Sequence, residues 1–264
     1  MHEFDEDTAV EATGAGRWRG RISDRWDIGP IPNGGYVLAV ALSALRQAMP
    51  GKEPLTVTAH FLRRADHGPS DIHVDVVKRG RSTSTATVRM VQGGHDHLVG
   101  VATFGHLATA PDGAAFIDGA PPAVPPLDAP EPAAFGLAAP EIGKRFDIRF
   151  ADESVPFLRG ERGDRAEIRG RIRFADGRAP DAHSLALFAD ALPPPVFNVM
   201  ASGWVPTVEL TVHVRARPSP GWLHCRFRTR FAFGGYLEED GEIWDERGTL
   251  VALSRQLAAL PRTR

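Results

Sequence analysis

The stretch Leu185-Ala186-Leu187-Phe188-Ala189-Asp190-Ala191-Leu192 contains one charge, Asp190. Read as the end of a helix, it sets a carboxylate among apolar neighbours and in the last turn, where an acid is disfavoured by roughly 0.3–1 kcal/mol. A group held against both burial and dipole is a candidate for acid–base work. The plainer alternative is a helix end that points its acid at water. Thr207 opens one strand-like segment and Gln256 closes another. A hydroxyl and an amide can hold a water beside a carboxylate that polarises or deprotonates it, which is the chemistry of hydrolysis. Pattern alone does not select these two, since Thr is a good strand former and Gln is commonly solvated.

Other signals are weaker. His95-Asp96-His97 reads as a solvated hairpin turn with no third ligand near it in sequence. Gly14-Ala15-Gly16-Arg17-Trp18-Arg19-Gly20 has the wrong spacing for a dinucleotide fingerprint. No Gly-x-Ser-x-Gly elbow occurs, which argues against a serine nucleophile on an α/β-hydrolase scaffold. The single cysteine, Cys225, lies in a strand-like run and reads as a small buried hydrophobe.

The elements that must position Asp190 come in two similar sets. In the first, Asn33 caps a helix over 36–49 that is apolar nearly all round and stops at Pro50. Such a helix must be enclosed. Strands are expected at 55–63, 71–78, 82–91 and 98–104. In the second, Asp181 or Ser184 caps a helix that runs to Leu192 and ends at Pro193-Pro194-Pro195. Strands are expected at 207–215, 222–230, 235–244 and 250–256. Between the sets, 111–140 holds eight prolines in thirty residues, which no helix or central strand tolerates. The expected organisation is therefore one unit over 1–108, a Pro/Ala-rich linker over 109–142 draped on the surface, and a second unit over 143–264.

The sets superpose with a shift of 151 positions, which lays Thr56 on Thr207, Ile72 on Leu223, His73 on His224 and Val99 on Leu250. Identities are few, and the shared order of elements carries the argument for a duplicated domain. The copies are not equal: the shift sets Ala39 at Asp190 and Gly105 at Gln256. One site per chain is expected, at the junction of the copies. An apolar helix followed by an antiparallel sheet that wraps it describes a hotdog unit, so the expected class is α+β, a double hotdog.

With 42% hydrophobic and 24% charged residues and a net charge of -2, the composition is that of an ordinary globular chain without the basic footprint of a nucleic-acid binder. The longest apolar run, 36–45, is too short to span a membrane. The first residues lack the apolar core of a signal peptide, and a cytoplasmic location is the default expectation.

The segments Gly29-Pro30-Ile31-Pro32-Asn33-Gly34-Gly35-Tyr36, Lys78-Arg79-Gly80-Arg81-Ser82, Leu187-Phe188-Ala189-Asp190, Thr207-Val208-Glu209 and Gly248-Thr249-Leu250-Val251-Ala252 with Gln256, taken in order, resemble those of the acyl-CoA thioesterase II family. The resemblance spans roughly 29–260 and implies a double-hotdog thioester hydrolase. It implies that Asp190, Thr207 and Gln256 orient the attacking water. Thr211, further along the same strand, is the competitor for the Thr role. For such chemistry the backbone N–H groups of Gly34 and Gly35 are candidates to meet the oxyanion, and Arg79 and Arg81 to meet the phosphates of coenzyme A. No metal or redox cofactor is required; the expected partner is a small acyl-CoA, and pairing of two copies into a homodimer is open to such a fold. Two rivals stand beside this reading: a non-catalytic acyl-CoA binder, and a hotdog hydratase or dehydratase that needs an Asp–His pair, for which His213 is the nearest histidine in sequence terms.

Overall fold

The computed structural model describes residues 1–108, 115–128, 140–200 and 203–260. Twelve strands follow one antiparallel path: β1 (Val10–Gly14), β2 (Arg17–Ile22), β3 (Glu53–Phe61), β4 (Gly68–Arg79), β5 (Ser84–Gln92), β6 (His95–Gly105), β7 (Phe146–Phe150), β8 (Glu167–Phe174), β9 (Thr207–Val214), β10 (Leu223–Arg228), β11 (Tyr236–Asp245) and β12 (Leu250–Ala259). Their order across the sheet is β1-β2-β4-β5-β6-β3-β9-β12-β11-β10-β8-β7, and a short thirteenth strand, Ala232–Phe233, adds to β11. Read outward from the β3/β9 seam, every strand faces its equivalent six strands later in the chain. At the seam Ala59 lies opposite Leu210, and Thr58 opposite Thr211. Two hotdog units thus share one long sheet, edge to edge.

Alternation explains which face each strand buries. In β2, Trp18, Gly20 and Ile22 are buried while Arg17, Arg19 and Arg21 are exposed. The same tetrapeptide, Arg-Gly-Arg-Ile, recurs at 169–172 in β8, where Gly170 and Ile172 are buried. The glycines there are required by crowding: a Cβ on Gly20 would meet Val40 at 2.9 Å, and one on Gly170 would meet the Arg149 carbonyl at 2.8 Å.

The concave face encloses two helices, α2 (Gly34–Ala48) and α3 (Leu185–Phe188); a short helix, α1 (Glu3–Asp7), precedes the sheet. Asn33 caps α2 by accepting from the Tyr36 N–H at 2.9 Å. From Gly35 to Leu42 every residue of α2 is buried, and each Leu or Val so enclosed contributes about 1.5–3 kcal/mol. An aromatic cluster of Phe4, Trp26, Tyr36, Phe146, Phe174 and Phe188 joins the N-terminal helix to both halves, with ring centroids 4.8–6.5 Å apart.

The second helix is shorter than the expected run to Leu192. Ser184 is its N-cap and makes no side-chain capping bond; Asp181 accepts from the Ser184 N–H at 2.8 Å in the turn before it, the α-helical turn ends at Phe188, and the Asp190 N–H bonds back to Leu187 over three residues. Pro193 restricts only Leu192 before it, four residues beyond the last α-helical residue, so the prolines do not set the earlier end.

Two further expectations change. Gly93 and Gly94, with φ of 56° and 79°, make the hairpin turn by themselves, so His95-Asp96-His97 starts β6 instead of forming the turn. His97 is buried, and its Nε2 lies 3.0 Å from Ser70 Oγ. Of the Pro/Ala-rich linker, 109–114 and 129–139 lie outside the described residues. The segment 115–128 has no helix or strand and is mostly exposed; its Ala123 carbonyl accepts from Arg169 of β8 at 3.3 Å. Among the described residues, no helix is long and apolar enough to cross a membrane.

Candidate active site

Asp190 sits where α3 runs out and α2 begins. Its Oδ2 accepts from the Gly35 N–H at 2.8 Å and from Asn33 Nδ2 at 3.0 Å, and the same Nδ2 donates to the Asp190 backbone carbonyl at 2.8 Å. The side chain therefore follows its own helical turn but faces the positive end of the other helix, a fifteen-residue one, where an anion is favoured. Burial is the larger influence. It pushes the carboxyl up to about 6, against the downward pull of the Gly35, Asn33 and Gly34 donors. A carboxylate poised near neutrality with one oxygen fixed is suited to take a proton.

Gly35 has a role other than the one expected, while Gly34 lines the cavity. The Gly35 amide is spent on Asp190, so it is not free for an oxyanion. A Cβ on Gly35 would lie 2.8 Å from Asp190 Cβ and 2.9 Å from the Ala186 carbonyl; one on Gly34 would lie 3.1 Å from Asp190 Oδ2. The glycines let the two helix ends abut.

Thr207 and Gln256 meet. Thr207 Oγ1 donates to Gln256 Oε1 at 3.0 Å, across neighbouring strands β9 and β12. The register of this pair slips between Thr207 and Glu209. Such a bulge turns a side chain to the other face, which is why Thr207, and not Thr211, reaches Gln256. Thr211 instead bonds Thr58 Oγ1 at 2.8 Å across the seam.

Asn33, Gly34, Asp190, Thr207 and Gln256 line one cavity of about 430 Å³. Its apolar wall includes Ile31, Val37, Phe61, Leu192, Phe197 and Val205. Arg63 and Arg64 line it too. Their hydrogen bonds go to backbone carbonyls, Arg63 to Asp96 at 3.2 Å and Arg64 to Pro30 at 2.9 Å, so among the described residues no carboxylate matches their charges. Arg79 and Arg81 do not line it. Arg79 aligns through Ser84 and Phe104 with Pro54, at the opposite end of β3 from Phe61. At about 3.3 Å per residue the separation is over 20 Å. The cations at the cavity are thus the pair that sequence reading passed over. His213 is exposed on the outer face and does not serve Asp190. His97 lines the cavity, but burial holds its imidazole down to about 4.

The equivalent place in the first unit holds no carboxylate. Ala39 is fully buried, and its carbonyl is met by His183 Nε2 at 2.7 Å. At Gly105 a Cβ would strike Leu55 at 2.6 Å, so apolar packing occupies the position that corresponds to Gln256.

One residue beside the site was not singled out from sequence. Glu239 lies opposite Gln256 in the β11/β12 register, is 6% exposed, and interacts with Asp190 and Gln256. It is hidden in the run Glu238-Glu239-Asp240, which reads as a solvated acidic face; only the period-two alternation with buried Leu237 and Gly241 marks it.

A double hotdog with its polar groups gathered in one cavity at the junction is the class that fold and geometry define. Residues 22–105 match the acyl-CoA thioesterase N-terminal domain and residues 118–260 the acyl-CoA thioesterase C-terminal domain; the chain belongs to the acyl-CoA thioesterase family. The uncharacterized protein Rv0499 of Mycobacterium tuberculosis is 31% identical over 269 residues, covering 92% of this chain and 91% of that protein. Among solved structures, the thioesterase II candidate of Thermobifida fusca YX superposes with a TM-score of 0.90 at 32% identity, over 99% of this chain and 98% of the other. A hotdog-fold protein of unknown function from Alicyclobacillus acidocaldarius gives 0.89 at 25% identity, with both chains fully covered.

Proposed function

We propose that this chain hydrolyses acyl-CoA thioesters to free carboxylic acid and coenzyme A. Asp190 accepts a proton from a water as that water attacks the thioester carbonyl. Thr207 and Gln256 hold the water; with Gln256 Oε1 taken by Thr207, the amide nitrogen is the donor left for the water or for the carbonyl oxygen as it gains charge. The acyl chain lies along the apolar wall, and Arg63 and Arg64 attract the phosphates of coenzyme A. The departing thiolate is a good leaving group, so one carboxylate suffices for the proton traffic.

The observation that carries this reading is the Asp190 carboxylate, fixed at one oxygen by Gly35 and Asn33, raised to about 6, and set in the same cavity as the Thr207–Gln256 pair. A binder without chemistry gains nothing from a buried acid held at that point. A hydratase would need a histidine paired with Asp190, and among the described residues none hydrogen-bonds it. The test is free-thiol release from acyl-CoA thioesters of increasing chain length. Release by the wild type and its loss in Asp190→Asn are expected; no release from any thioester overturns the assignment.

A further inference from the structure

We infer that Glu239 is a positioning residue that holds the Gln256 amide in its working orientation. The inference rests on the hydrolase reading for its kinetic consequence, but its structural content stands apart from it.

Glu239 is on the inward face of β11, flanked at i±2 by buried Leu237 and Gly241, and Leu237 packs with Ala258 and Val196 in an apolar cluster. Its Oε2 is buried and has no hydrogen-bond partner among the described residues. An unsatisfied buried polar atom is destabilising, and a leucine would fill this position without that cost. The charged groups that reach Glu239 are Asp190, from the segment after α3, and Asp240, its neighbour on β11; Asp240 is itself paired with Arg255 at 2.6 and 2.9 Å. Burial first, then the nearby Asp190 charge, holds Glu239 well above the usual carboxylate range.

The use of such a group lies in what it touches. Gln256 faces Glu239 directly across the strand pair, and both side chains are buried, which brings the carboxyl within reach of the Gln256 amide. A glutamine amide has one acceptor oxygen and two N–H donors. Thr207 occupies the oxygen at 3.0 Å. Glu239 takes one N–H, which leaves the other N–H for the cavity that Gln256 lines. With only Thr207, the side chain pivots about a single bond and the amide can turn over; two fixed partners define it. A carboxyl whose ionisation is opposed by burial suits this task, because a second full negative charge would oppose the one that develops on the carbonyl oxygen.

The experiment compares Glu239→Gln, which keeps an acceptor for the Gln256 N–H, with Glu239→Leu, which fills the site and removes it. The side-chain amide resonances of Gln256, assigned by their loss in Gln256→Ala, are followed by proton–nitrogen NMR, with steady-state thiol release alongside. Glu239→Leu is expected to shift or broaden the Gln256 amide and to lower kcat by about tenfold or more, the scale of a misplaced donor, with KM held within about twofold. Glu239→Gln is expected to keep the amide signal and restore kcat to within about threefold of wild type. An unchanged amide and unchanged kcat in Glu239→Leu overturn the inference, as does a Glu239→Gln variant as impaired as Glu239→Leu. If the wild type cleaves no thioester, the hydrolase reading falls, and the amide signal alone decides whether Glu239 holds Gln256.

Discussion

Asp190→Asn removes the base and should make the protein more stable. The carboxyl moves from 3.8 to about 6 in the fold, with burial as the leading cause. A shift of roughly two units corresponds to about 3 kcal/mol of penalty on the charged form, at about 1.4 kcal/mol per unit. Because the side chain borders an open cavity, the realised figure is roughly 1–3 kcal/mol. The sign follows from proton binding. The folded state holds this proton more tightly than the unfolded chain, so stability is greatest with Asp190 protonated and falls as pH rises from 3.8 through about 6. Asparagine keeps an oxygen to accept from Gly35 and Asn33 and carries no charge. Denaturant unfolding should therefore show little difference between the two proteins near about pH 4 and an advantage of roughly 1–3 kcal/mol for the variant near about pH 8. Turnover measured as thiol release should fall by about 10²–10⁴. A variant that keeps wild-type turnover, or one destabilised equally at both pH values, refutes the reasoning.

Other consequences can be checked in the same assays. The wild-type kcat/KM should rise with pH through an acid limb centred near about 6 as Asp190 ionises, and a limb near the ordinary carboxylate value would show that burial does not govern it. Gly35→Ala places a methyl 2.8 Å from Asp190 Cβ and 2.9 Å from a backbone carbonyl; it should cost about 1–3 kcal/mol in unfolding free energy and most of the turnover, whereas Gly29→Ala, with nothing within 4 Å, strains only its own backbone and should spare kcat. Replacing Arg63 and Arg64 together by alanine should raise KM for acyl-CoA and weaken its salt dependence, while leaving a thioester that lacks the phosphates unaffected; the pair Arg79 and Arg81, at the far end of the sheet, should be silent.

Much of the scaffold is legible in the sequence because its signals are local. The Asn33 cap, the apolar run after it and Pro50 delimit α2 within two residues. The eight strands read from alternation all occur, and the shift of 151 positions reappears as the palindromic order of the sheet. Strands β2 and β8 carry period-two patterns that are masked because arginine fills every second position; the repeated Arg-Gly-Arg-Ile is their mark in the sequence. In the site, Asp190 is visible as a lone acid in an apolar stretch. Its partners are not, since Asn33 and Gly35 lie 157 and 155 residues away. Long-range pairing of this kind leaves no local trace. The bulge that selects Thr207 over Thr211 is likewise invisible to a count of alternating residues, and Arg63 and Arg64 gain their meaning only from the end of the strand at which they sit.

The most direct test of the central claim is a single turnover of acyl-CoA in water enriched in ¹⁸O, with enzyme in excess and the product acid analysed by mass spectrometry. If Asp190 activates a water that attacks the carbonyl, the first molecule of acid formed carries one ¹⁸O and coenzyme A appears as free thiol in equal amount. Unlabelled acid in that first turnover, with the label found in the Asp190 carboxyl, would mean that Asp190 attacks the substrate itself, and would contradict the account.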